Sequence, residues 1–152
     1  MNREITQTVQ RQNPNLRIVG PVESIQALNA KNLVADYDNY LVGLAQSGIP
    51  NSEVLHRVGE ALGVDAIMQG QIVGLYQEDG SYPGRPGHTK FALRYSIVST
   101  QDALLMWETS AEVNRRTGTV FEQAPALELV LPDATQIVLK SIPKFAFVKA
   151  GP

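Results

Sequence analysis

The one spacing in this sequence that matches a ligand motif is Glu53-x-x-His56, a carboxylate and an imidazole three residues apart on an expected helix. Metal sites in helical bundles use two such motifs together with further carboxylates. Only one copy occurs here. The segment is therefore read as a solvated helix face, with Glu53 to Arg57 and His56 to Glu60 as i, i+4 ion pairs. The chain has no cysteine, which removes disulfides, thiolate nucleophiles and sulfur-ligated metal. Acid–base catalysis needs groups held within hydrogen-bond reach of each other. Both histidines, His56 and His88, fall on segments expected to be exposed, and Asp65, the best-placed acid, sits at a strand start where a capping role suffices. No catalytic, cofactor-binding or metal-ligating residue is assigned, and the chain is read as no enzyme.

Contact with a partner is a different matter. The segment Gln77 to His88 (QEDGSYPGRPGH) holds three glycines and two prolines and reads as a hairpin tip. Its glycines lack the strand-to-helix context of phosphate-cradling loops. Long loops often carry function, and Tyr82, Arg85 and His88 are its candidate partner-binding side chains. Tyr37 and Tyr40 have the rings to stack on a ligand but read as core-edge residues with wet hydroxyls. The net charge of -2 offers polyanions no general attraction. Arg115-Arg116 is the only adjacent basic pair, diluted by Glu112 and Glu122, so it reads as a solvated strand end and no nucleic-acid partner is expected.

The elements that must position these residues follow from periodicity. Residues 1–12 read as a helix already in progress, with Ile5 and Val9 at i, i+4 and no capping residue ahead of them, as in a chain trimmed of an export signal. Asn13-Pro14 stops that helix, and Leu16 to Val19 reads as a short β-branched strand. Residues 22–31 are ambiguous, with Ser24 a plausible cap. Leu33, Tyr37, Tyr40, Leu41 and Leu44 then fall at helical spacing before Gly48. Asn51-Ser52 opens the next helix, whose apolar stripe is Val54, Leu55, Val58, Ala61 and Leu62 and whose end is Gly63.

A strand from Asp65 to Tyr76 is apolar on both faces and reads as an interior strand covered on each side. Its Gly70 and Gly74 suggest a bulge or a close backbone approach. Thr89 to Val98 and Leu105 to Val113 alternate with period two and form an antiparallel hairpin, in which Trp107 packs in the core. The tail from Ala124 is helical, with Pro132 kinking it or opening a second helix. At 152 residues, with 43% hydrophobic and 18% charged side chains, the chain has the length of one domain. Its surface must be covered largely by Gln, Asn, Ser, Thr and Gly.

Leu62-Gly63-Val64-Asp65-Ala66-Ile67-Met68-Gln69-Gly70-Gln71-Ile72, with Leu93 to Val98 and Leu105-Met106-Trp107 after it, resembles a bacterial envelope pattern. Its members are the TolB amino-terminal domain, the curli secretion lipoprotein CsgG and the lipoprotein activators of penicillin-binding proteins. The likeness covers about half the chain and departs at Thr100 to Ala103, which replaces the usual Thr-Gly turn. It implies an α/β (α+β) fold in which helices pack a single mixed sheet of about four to five strands, similar to anticodon-binding domains, over 1–152 as one domain. It implies a noncatalytic interaction or assembly module, periplasmic or anchored in the outer membrane through a segment upstream of Met1. Such a module offers the hairpin tip or a sheet edge to an envelope protein. The alternative is a small-ligand or nucleotide binder using the crevice at the strand carboxyl ends.

Overall fold

The computed structural model describes residues 2–81 and 84–144, without the side chains of residues 2 and 3. Its elements are α1 (Asn2–Gln12), α2 (Pro21–Ala30), α3 (Val34–Ser47), α4 (Ser52–Leu62), β1 (Ala66–Glu78), β2 (His88–Ser99), β3 (Leu105–Arg116) and α5 (Leu127–Ser141). Three strands form one open antiparallel sheet in the order β1-β2-β3, so among the described residues β1 and β3 are edges. The chain divides into two compact units. One takes Met1–Leu16, Gly70–Arg94 and Thr109–Pro152, the other Arg17–Gln69 and Tyr95–Glu108. Each strand contributes to both.

In the second unit α2, α3 and α4 pack on one another. Leu28, Leu33 and Val58 form one buried cluster with Val54, Ala61, Leu62 and Ile67 around it. Tyr40, Leu55 and Val98 form another, reached by Leu44 and Ala103. The apolar stripe of α4 thus does what its spacing demands. Its start is fixed by Asn51, whose side chain accepts from the Val54 N–H at 3.1 Å, and its end by Gly63 in the left-handed conformation at φ 61°. Gly59 sits where α4 meets the β2–β3 turn. A Cβ there would lie 2.5 Å from Thr100 Cβ, and Thr100 is itself held by donating Oγ1 to Val64 O and N–H to Asp65 O, both at 2.9 Å.

In the first unit α1 docks on α5, with Ile5, Val9, Val130, Ala134 and Val138 buried. Phe91 and Leu93 of β2 are buried while Lys90 and Arg94 on either side of them are exposed, the one-sided burial that the alternation demands. Further along, Ile97 and Val98 are adjacent and both buried, so strict alternation ends there.

Several expectations are corrected. Among the described residues the sheet has three strands, not four to five, and is antiparallel, not mixed. Leu16 to Val19 is irregular: β-branched propensity forms a strand only beside a partner edge, and Arg17 instead reaches Glu23 of α2 at 3.5 Å. The cap of α2 is Gly20 with Pro21 at the first position, whereas Ser24 lies inside and donates to Gly20 O. Trp107 is only partly buried. Of the two readings of Pro132, the opening of a second helix is overturned, because α5 runs through it. A proline there removes the bond to the carbonyl four residues back. One residue further on, the Arg115 guanidinium donates to Leu129 O and lies 3.5 Å from Asp133 Oδ2.

Candidate protein-interaction surface

From Ala66 to Gln77 the chain carries no charge and no proline, and it forms most of a thirteen-residue edge strand. Edge strands are ordinarily guarded by Lys, Pro, bulges or brevity, because their outward N–H and C=O groups are a template for another strand. None of the first two guards is present here. Ile72 is 57% exposed, Val73 46%, Leu75 50% and Tyr76 52%, all in the first unit. Burial on both sides was the expectation for this strand, and it is wrong. The three strands follow one another by hairpins, so β2 takes the middle. An apolar pattern on both faces cannot tell a strand covered by its own sheet from an edge that another chain covers.

Gly74 faces Ala92, to whose Cβ a Cβ at position 74 would come within 3.5 Å. Tyr76, Lys90, Ala92 and Glu112 surround it in a shallow hollow of about 250 Å³. The Tyr76 hydroxyl donates to Glu78 Oε2 at 2.9 Å, and this carboxylate raises the phenol pKa. The Tyr76 ring meets that of His88 with centroids 5.4 Å apart. The apolar edge therefore ends in an aromatic, hydrogen-bonding patch.

Of the three residues read from sequence as partner contacts, Tyr82 lies outside the described residues. Arg85 is exposed in the loop, its backbone paired with Ser81 in an isolated bridge. His88 opens β2 beside Tyr76. The loop is not the free hairpin tip expected. Gly80 N–H donates to Glu122 O at 3.0 Å, Asp79 Oδ1 accepts from Ala124 N–H at 2.7 Å, and Thr117 N–H donates to Gly87 O at 2.8 Å. A Cβ on Gly80 would collide with the Val120 carbonyl, and one on Gly87 would come 2.8 Å from Glu122 O. Deeper in, Thr89 Oγ1 donates to Pro125 O at 2.6 Å. Arg85 and His88 thus ride on a loop that a second segment holds down.

The second unit has a cleft of about 430 Å³ between α3 and α4, lined by Asp36, Asn39, Tyr40, Asn51, Glu53 and Arg57 among others. Arg57 pairs across it with Asp36 at 2.8 Å rather than with Glu53 along α4, while His56 and Glu60 do approach within 3.5 Å. Tyr37 and Tyr40 stack on each other, centroids 5.7 Å apart, and the Gln69 side-chain amide donates to the Tyr40 hydroxyl at 3.1 Å. Burial raises both phenol pKa values, and the hydrogen bond to Gln69 opposes the rise. Among the described residues no three His, Cys, Asp or Glu side chains gather as a metal set, and no helix is long and apolar enough to cross a membrane.

The chain matches no family model, and no curated protein is similar to it in sequence. Among solved structures it is similar to the lipoprotein GNA1162 from Neisseria meningitidis, with a TM-score of 0.40 and 14% identity over 64% of this chain. The similarity spans 66% of that protein's chain, just under two thirds of its length.

Proposed function

We propose that this chain is a noncatalytic protein-interaction module of the bacterial envelope, binding its partner by adding a strand at the β1 edge. The observation that supports this reading is the exposure of Ile72, Val73, Leu75 and Tyr76 on a strand without charge from Ala66 to Gln77. Strand addition draws affinity from main-chain hydrogen bonds and specificity from alternate side chains. The envelope assignment rests on the resemblance of Leu62 to Ile72 to the pattern above. A photo-crosslinker at Gln71, used in intact cells, tests both parts. The reading expects an adduct with an envelope protein that disappears when Val73→Lys is added in the same chain. An adduct indifferent to Val73→Lys, or confined to cytoplasmic proteins, would refute it.

The α3–α4 cleft favours a second reading, a small polar ligand held by Asp36, Asn51, Glu53 and Arg57. This places the alternative between helices instead of at the strand ends. A ligand of that kind would raise the unfolding midpoint by mass action, and Arg57→Ala would abolish the rise.

A further inference from the structure

We infer that the occupant of the β1 edge is a second copy of this chain, paired antiparallel about a two-fold axis at Gly74. The inference rests on the edge reading above and deepens it. The exposed apolar residues are arranged symmetrically about one position: Ile72 and Val73 precede Gly74, and Leu75 and Tyr76 follow it. Antiparallel pairing in that register sets Ile72 opposite Tyr76 of the copy and Val73 opposite Leu75, on opposite faces. Both are β-branched residues facing a large partner, the cross-strand combination that stabilises antiparallel pairs. Gly74 meets its own counterpart on the axis, where it leaves room for the flanking side chains.

Charge agrees with this register. The only ionised residue of the strand, Glu78, falls opposite Gly70, so no like charges meet in the paired stretch. Centring the pair two residues earlier, at Ile72, would set Asp65 opposite Asp79 and Val73 opposite Gln71, which adds repulsion and breaks the apolar matching. An isologous pairing of this kind uses each edge once and closes on itself, giving a dimer and not a fibre.

The sequence has no cysteine, so a single introduced one reports the register. Directly opposed residues in an antiparallel pair have Cα atoms about 4.5 to 5.5 Å apart, within disulfide range. Gly74→Cys in the full chain is expected to form a disulfide-linked dimer on addition of an oxidant, and its side chain meets Ala92 at ordinary contact distance. Ile72→Cys is expected not to, since its counterpart lies roughly 14 Å away, four residues along the strand. Sedimentation should show a dimer for the unmodified chain, and for Val73→Lys at least a roughly tenfold weaker self-association with an unchanged circular dichroism spectrum. A monomer at every accessible concentration, or cross-linking through position 72 and not 74, would overturn the inference. A monomer whose Gln71 adduct with another envelope protein still needs Val73 would sink the dimer alone and leave the interaction reading standing.

Discussion

Gly59 and Ala103 are positions where opposing effects of similar size must be compared. Replacing a helical glycine by alanine ordinarily stabilises by about 1 kcal/mol, but the added methyl would sit 2.5 Å from Thr100 Cβ. Thr100 is buried and tied to Val64 and Asp65, so it has little room to move. Overpacking costs about 1–3 kcal/mol, so Gly59→Ala should lower stability by roughly 1–2 kcal/mol in urea unfolding. A gain would show that α4 can shift. Ala103 holds φ 58° in the β2–β3 turn, a left-handed conformation that disfavours L-residues by about 1–2 kcal/mol. Glycine would remove that strain but would lose a partly buried methyl packed on the Tyr40 cluster and add unfolded-chain freedom. The two nearly cancel, so Ala103→Gly should fall within about 0.5 kcal/mol of neutral, while the β-branched Ala103→Val should cost more than about 1 kcal/mol. The tyrosines give a third residue-level expectation. Burial raises the pKa of Tyr37, Tyr40 and Tyr95 above 10.0. Below that pH the phenols are neutral folded or unfolded, and they add no pH dependence to stability. Above it the unfolded chain ionises first, so stability should fall as pH rises, with phenolate absorbance lagging that of free tyrosine.

Among the elements, α5 carries the local conflict. A helix-interior proline costs up to about 3 kcal/mol, yet α5 continues through Pro132 to Ser141. Val130, Ala134 and Val138 are fully buried at i, i+4 and i+8, and that burial outweighs the lost bond. Arg115 of β3 supplies a donor to the Leu129 carbonyl nearby. Pro132→Ala should therefore raise stability by about 1–2 kcal/mol, and Arg115→Ala should lower it by about 0.5–1.5 kcal/mol. The two effects should couple in a double-mutant cycle. Strict additivity would mean that Arg115 acts only through its exposed pair with Asp133, whose own worth is small.

At the scale of the whole molecule, the legible parts of the sequence were those where one local rule acted alone. Asn51, Gly48 and Gly63 bounded helices because capping is local, and β2 showed its buried face because Phe91 to Ile97 alternate. What escaped depended on neighbours distant in sequence. Leu16 to Val19 had strand propensity but pairs with neither open edge, Arg57 chose Asp36 over Glu53, and β1 looked interior although among the described residues no strand of its sheet lies beyond it. The β1 edge proposed above was not singled out residue by residue for that last reason, since the side chains named from the sequence were Tyr82, Arg85 and His88. An uncharged stretch twelve residues long, Ala66 to Gln77, was the signal available. The lack of charge also predicts how any self-association through this edge responds to salt. Screening weakens contacts between ions, so the dimer constant should change little between low and molar salt. A steep dependence would point to a charged interface elsewhere.

The docking of α1 on α5, with Asn13 Nδ2 3.5 Å from Pro143 O, has a consequence for how the chain is made. Within this sequence α1 leaves the ribosome well over a hundred residues ahead of the helix that covers it. At about 5–20 residues per second, Ile5 and Val9 wait on the order of ten seconds for Val130 and Val138 to emerge. During that interval the nascent helix offers an apolar stripe to any chaperone near the tunnel exit. A message truncated before Leu127 would leave the stripe permanently bare, and the shortened product should be degraded or retained by such a chaperone instead of released.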